Sequence, residues 1–285
     1  IINRALPTRE WASPNAVIHV VMSAYERPFY FKKVGNVAMQ YTTFSDEQIK
    51  SLIEAIDLNG YAVLPGWATS AELTQLQALV TDAVVAAGNN YVALTGHQAV
   101  AGSLLDEWGR SPYFVDLCKR IVTAATGEHS TEQRLYQVLR CLTGEQGQRE
   151  SSIFHYDSFV LTTIMPVCMP DNPGDLIMLP NHRPLRKTYA FNLLDKLRVD
   201  NRWAQRRRLK EYTKHPERFT RVHMRPGDLY LFWGYRSLHT NLPADPDALR
   251  ATAIFHYHNQ HADSSLADRI RRSVAYIKPN QPVPM

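Results

Sequence analysis

From residue 134 to about residue 260 the chain is written as short apolar, β-branched runs cut apart by proline, glycine, aspartate and asparagine. "LYQVLRCL", "IFHYDSFVLTTIMPV", "DLIMLP", "TRVHM", "DLYLFW" and "ATAIFHYH" have the length and composition of strands. Two turns share the form Pro-Gly-Asp, at 173–175 and 226–228, and each feeds an apolar run. Many short strands with this punctuation pack as a sandwich or close as a barrel. A helical insertion over 189–217 interrupts them, and residues 261–285 read as a closing helix and tail.

The first 130 residues carry a different rhythm. Ser45 is placed to cap a helix in which Ile49, Leu52, Ile53 and Ile56 fall at helical spacing, and Gly60 ends it. "YAVLPGW" (61–67) reads as a short strand, and Thr69 with Glu72 forms a capping box for a second helix. A further helix is expected at 112–126, whereas residues 1–43 are irregular around Pro7, Pro14 and Pro28, with one strand near "VIHVVM". The expectation is one domain over 1–285. A mainly helical flank with N-terminal strands (1–130) packs outside a β core (134–260), an α+β chain that is mainly β at its centre.

Composition narrows the class. Hydrophobic residues make up 45% and charged residues 21%, which is ordinary for a soluble globular protein. No apolar stretch approaches membrane-span length, and "AVIHVVM" is too short and lacks the cationic leader of a signal peptide. Cys118, Cys141 and Cys168 are odd in number and widely spaced, which argues against a disulfide framework and fits a reducing, cytoplasmic setting. The net charge of +5 is partly due to "NRWAQRRRLK" (201–210), which reads as a solvated helix face rather than a nucleic-acid surface. The expected partner is a small molecule, not a membrane or a nucleic acid, and nothing in the sequence specifies an oligomer.

The chemistry concentrates at His155-Tyr156-Asp157. In an extended strand residues i and i+2 share a face, so the imidazole and the carboxylate would project together. The same spacing recurs at His261 and Asp263, but no histidine follows that copy. After the first copy, His239 stands between a strand and a polar turn, and eleven residues later Arg250 opens the run "RATAIFHYH". Two histidines and one carboxylate on one face of a divalent metal leave its opposite positions open. An arginine nearby can grip a carboxylate with two parallel hydrogen bonds.

This order, His-x-Asp, a distal His, then Arg, within turn-punctuated β structure, resembles the iron(II)/2-oxoglutarate-dependent dioxygenases, and within them the phytanoyl-CoA dioxygenase-like branch. "GYAVLPGWATSAELTQLQALV" (60–80) is similar to that branch's N-terminal strand and helix. "GDLIMLPNHR" (174–183) is similar to its strand and Pro-Gly-Ser-His turn, with Asn181 here and the Gly-Ser pair absent. The resemblance covers roughly residues 44–260. It implies a double-stranded β-helix, a cupin or jelly-roll barrel, flanked by helices. It also implies that His155, Asp157 and His239 bind Fe(II) and that Arg250 holds the distal carboxylate of 2-oxoglutarate. With O2 as the other cosubstrate, the implied default reaction hydroxylates an unactivated C–H bond and releases succinate and CO2, while desaturation, ring closure or epoxidation would use the same ligands. Asp157 separates this chain from the related halogenases, which carry Gly or Ala there.

Other positions follow from parity or from the family pattern. Thr252 shares a face with Arg250, Asn241 falls where the family often has a small polar residue, and Thr163 has the strand parity of His155 and Asp157. Tyr136, Gln137 and Arg140, one strand earlier, are open candidates for cosubstrate or substrate contact. His97, Trp233 and His256 are candidates to meet substrate, against core packing as the plainer reading of Trp233 and His256. Two other functions fit less well: a non-catalytic cupin-like binding protein, and an oxygenase acting on nucleic acid or protein.

Overall fold

The computed structural model describes residues 43–185, 195, 198, 199, 201–245 and 247–261, together with the backbone of three earlier strands. Those are β1 (Arg9–Ser13), β2 (Ala16–Val21) and β3 (Tyr30–Lys32), where the sequence points to only one. Next come α1 (Asp46–Asn59), β4 (Ala62–Leu64), α2 (Ser70–Ala86), β5 (Val92–Thr95), α3 (Leu104–Arg110) and α4 (Pro112–Thr126). The core follows as β6 (Tyr136–Leu142), α5 (Gly144–Glu150), β7 (Leu161–Cys168) and β8 (Leu176–Leu179). The insertion helix α6 (Arg202–Lys214) precedes β9 (Thr220–Val222), β10 (Leu229–Phe232), β11 (Leu238–Asn241) and β12 (Arg250–Tyr257). The expected closing helix, and the expected helical structure over most of 189–200, lie outside the described residues. No helix among the described residues is long and apolar enough to cross a membrane.

The helix boundaries follow local chemistry. Ser45 accepts the Gln48 amide while Gln48 returns a side-chain bond to the Ser45 amide, and Gly60 closes α1 at φ +90°. Thr69 and Glu72 make the same reciprocal pair at the start of α2. Each such cap stabilises its helix by about 1 kcal/mol.

The strands form two sheets. The larger runs β1-β2-β3-β4-β10-β7-β12-β6-β5 and the smaller β11-β8-β9. Every pairing is antiparallel except β3 with β4. Alternation sorts the side chains of the large sheet into two sets. Leu139, Cys141, Met165, Leu231, Ala253 and Phe255 pack outward with α1, α2, α3 and α4 in the main core, which includes Trp67, Trp108 and Phe114. The opposite face, with Ile164, Tyr230 and Phe232, meets Leu176 and Met178 of the small sheet. On the far side of the small sheet, Ile177 and Leu238 pack with Phe154, Phe219 and Tyr212 of α6. Full burial of each large apolar side chain contributes roughly 1.5–3 kcal/mol. Two facing sheets with helices outside are the jelly-roll core that the resemblance implies, and the space between the sheets holds the site.

Candidate metal centre

His155 and His239 meet backbone to backbone. Each amide donates to the other's carbonyl, at 3.0 and 3.1 Å, in an isolated antiparallel bridge that attaches residue 155 to the edge of β11. The sequence reading puts His239 after a strand, but it lies inside β11, opposite Met178. Residues 156–160 after the bridge leave the strand conformation until β7 begins at Leu161. Asp157 is nevertheless fixed, because its amide donates to the Gly234 carbonyl at 3.0 Å.

One nitrogen of His155, one of His239 and one carboxylate oxygen of Asp157 lie within 4.8 Å of one another. The two imidazoles are oriented alike. His155 Nδ1 is 2.9 Å from the Ile153 carbonyl, and His239 Nδ1 is 2.9 Å from that of Ser237. A carbonyl only accepts, so each Nδ1 carries the hydrogen and each Nε2 presents a lone pair. Those Nε2 atoms stand 3.7 and 3.6 Å from the Asp157 oxygens. Phe232 packs edge-on against the His239 ring at 4.9 Å and limits its rotation.

Electrostatics hold the donors in ligand form. Burial alone would raise the Asp157 pKa, but the imidazoles of His239, His256 and His155 and the Thr162 hydroxyl bring it down to about 2. Burial pushes His239 down to about 4, only partly opposed by Asp157. At neutral pH the carboxylate is ionised and His239 is neutral, the states that bind a divalent metal.

Two neighbours escaped the sequence reading. Thr162 donates to Asp157 Oδ2 at 2.5 Å and lies 3.0 Å from His256 Nδ1. Gly234 leaves room for both, since a Cβ there would stand 2.2 Å from Thr162 Oγ1 and 2.3 Å from Asp157 Oδ2. Thr163, the expected cavity residue, is instead on the helix-facing side, paired with Phe255 and Leu231 and donating to the Phe255 carbonyl at 3.3 Å. The loop at 156–160 breaks the alternation from which its parity was counted, so Thr162 takes the inner position.

Of the cosubstrate candidates, Arg250, Asn241 and Thr252 lie between the sheets, whereas Tyr136 is 40% exposed in a separate cleft. Arg250 is 1% exposed, and its Nη2 donates to Asn241 Oδ1 at 2.9 Å. Its Nε and Nη1 are buried without a partner, as is Nε of Arg140. Arg140 lies across the ladder from Thr252, and its Nη2 donates to the Glu150 carbonyl at 2.5 Å. Burial, reinforced by Arg140, lowers the Arg250 pKa to about 10, so it stays cationic at neutral pH. Asn241 orients this arginine, and Thr252 is buried two residues along β12.

Of the substrate candidates, His256 stands beside the triad, with Nδ1 4.0 Å from Asp157 Oδ2. Trp233 does not. It is 1% exposed in the main core and donates to Asp57 Oδ1 at 2.8 Å, because it points to the helix side of the sheet. His97 opens a short 3-10 turn (His97–Val100) and lines a cleft with Tyr136 and Phe159. In the second His-x-Asp copy, His261 is buried and bonds the Tyr235 hydroxyl at 2.9 Å, and Asp263 is outside the described residues.

No protein-family model matches the chain, and no curated protein matches it. Its fold is similar to several solved structures. One is the non-heme alpha ketoglutarate dependent carbocyclase SnoK from nogalamycin biosynthesis, at 15% identity and TM-score 0.48, covering 88% of this chain and 97% of that one. A second is a prolyl hydroxylase from Trichoplax adhaerens in complex with a peptide of hypoxia inducible factor, at 14% identity and TM-score 0.47, covering 77% and 93%. A third is a Pseudomonas putida prolyl-4-hydroxylase at 11% identity and TM-score 0.45, covering 74% and 99%.

Proposed function

We propose that this protein is an iron(II)- and 2-oxoglutarate-dependent oxygenase that hydroxylates an unactivated C–H bond of a small molecule. One observation carries the reading: two imidazole nitrogens and a carboxylate converge within 4.8 Å on the same inter-sheet space that buries Arg250 with two guanidinium nitrogens unpartnered. Neither Arg250 nor Arg140 makes an ion pair with any described residue, and a buried cation without an anion is costly. The site therefore fits an anionic ligand as well as a metal.

His155, Asp157 and His239 would hold the iron, a donor set suited to iron(II) with positions left open. Arg250, oriented by Asn241, would take a carboxylate of 2-oxoglutarate, and Arg140 and Thr252 lie beside it. When bound, the iron and 2-oxoglutarate supply the activation of O2 that oxidises a C–H bond, with formation of succinate and CO2. The chain's own contribution is positional. Ile153 and Ser237 carbonyls set the imidazole tautomers, Thr162 holds one carboxylate oxygen of Asp157, and Gly234 gives that carboxylate its space.

The test is anaerobic titration with Fe(II) and then 2-oxoglutarate, followed by admission of air and measurement of succinate. Metal-dependent binding of 2-oxoglutarate and slow succinate release are expected. A protein that binds Fe(II) or 2-oxoglutarate no better than an Asp157→Ala, Arg250→Met double variant is not this oxygenase.

A further inference from the structure

We infer that the cleft beside the metal centre binds a planar, ring-bearing small molecule that carries hydroxyl or carbonyl groups. The cleft measures about 520 Å3, and His97, Glu132, Arg134, Tyr136, Ser158 and Phe159 are among its lining residues. That volume lies within the range of small-molecule sites. As a ligand site it stands on this geometry alone; as the substrate site it rests on the oxygenase reading.

Three rings cluster at one wall, which Tyr136 and Phe159 line, and Tyr136 also meets His256 with centroids 6.3 Å apart. Tyr136 stacks on Phe159 with centroids 5.3 Å apart, and Phe159 stacks on His256 at 5.0 Å and an interplanar angle of 15°. In this cluster Tyr136 is 40% exposed, while His256 Nδ1 lies 3.0 Å from Thr162 Oγ1, the hydroxyl that bonds Asp157. Ser158 and Phe159 directly follow Asp157. Aromatic side chains in the lining of a cleft favour a ligand that offers a ring of its own.

The polar groups narrow the ligand further. The two charged lining residues are already engaged within the protein. Glu132 accepts the amides of His258 and Asn259, both at 3.1 Å, and Arg134 pairs with Asp106 at 2.7 Å. The Tyr136 hydroxyl, the Ser158 hydroxyl and the His97 ring have no hydrogen-bond partner among the described residues. An aromatic lining flanked by hydroxyls and an imidazole that have no protein partner suits a hydroxylated or carbonyl-bearing ring system better than an ionic head group or an alkyl chain.

The probe is 2-naphthol, with octanoate as the chain-like comparison, titrated into the full-length protein by calorimetry. Saturable 2-naphthol binding is expected, together with weak or absent octanoate binding. Phe159→Leu and Tyr136→Leu keep apolar bulk but remove the ring, and each should weaken 2-naphthol by about three- to tenfold. Octanoate binding as tightly as 2-naphthol, no saturable 2-naphthol binding, or unchanged affinity in both folded variants overturns the inference. Mn(II) titration of the same wild-type sample separates the two readings. 2-Naphthol binding without metal binding removes the oxygenase and retains the ring site. Metal and 2-oxoglutarate binding without 2-naphthol binding does the reverse.

Discussion

Gly234 and Asp157 are in direct contact through both backbone and side chain. The Gly234 carbonyl accepts the Asp157 amide at 3.0 Å, and the space a Cβ would fill on Gly234 is taken by the carboxylate, 2.3 Å from Oδ2. A methyl group here must push Asp157 or Thr162 aside. Gly234→Ala should therefore cost roughly 1–3 kcal/mol through overpacking. It should also weaken Mn(II) binding on the order of 10- to 100-fold, as displaced ligand-orienting groups do. Thermal unfolding with and without Mn(II) measures both, and wild-type metal affinity in Gly234→Ala would show that the carboxylate has room to move.

Gly234 also marks where the sequence stops being informative. His155, Asp157, His239 and Arg250 were legible because metal and anion ligands are rare residue types whose order along a turn-punctuated chain is restrictive. Capped helices were legible too, since Ser45, Thr69 and Gly60 act within one turn. Residues 156–160 were not. Their loop shifts the inward parity from Thr163 to Thr162, and only the cross-strand partner shows the shift. Gly234 and Phe159 owe their importance to atoms far away in sequence, and short-range pattern carries no trace of them. Trp233 shows the choice sequence leaves open: an aromatic before a ligand is compatible with either face, and the sheet turns it to the core packing that was its plainer reading, towards Asp57.

Thr162 tests how far the hydroxyl shapes the centre. Its 2.5 Å hydrogen bond to the Asp157 carboxylate is charge-assisted, a type that contributes about 1.5–3 kcal/mol. Thr162→Val keeps the shape and deletes the bond. We expect metal affinity to fall by about tenfold while Thr162→Ser stays within a few-fold of wild type. Titration with Mn(II), followed by its paramagnetic resonance signal, gives both numbers, and equal affinity for Val and Ser would remove the hydroxyl from any role.

Arg250 carries a prediction of unusual sign. A buried guanidinium with Nε and Nη1 unpartnered destabilises the ligand-free protein. Arg250→Met should leave the thermal midpoint of the metal-free protein unchanged or higher, because the unpaired buried charge is gone. The same change should abolish 2-oxoglutarate binding, and added 2-oxoglutarate should no longer raise the midpoint of the metal-loaded protein. A variant that unfolds more readily yet still binds 2-oxoglutarate would mean that Arg250 is a structural cation.

The pH dependence of the metal-free protein follows from the two strongest shifts in the triad. His239 titrates near 4 when folded, against an ordinary value of 6.5. Between those values the unfolded chain binds a proton that the native state does not, so stability is complete above about 6.5 and is lost as pH falls towards 4. Asp157, held near 2 against an ordinary 3.8, acts in the same direction over the lower window, its contribution present above 3.8 and lost as pH falls through 2. The His239 shift corresponds to roughly 3 kcal/mol. Denaturant midpoints in the presence of a chelator should accordingly be level from pH 8 to 7 and fall steadily between pH 6.5 and 4. His239→Gln, which has no proton to gain, should flatten that slope by its share. A midpoint that is level down to pH 4, or a slope that His239→Gln leaves unchanged, would show that the imidazole is solvated rather than buried beneath Phe232.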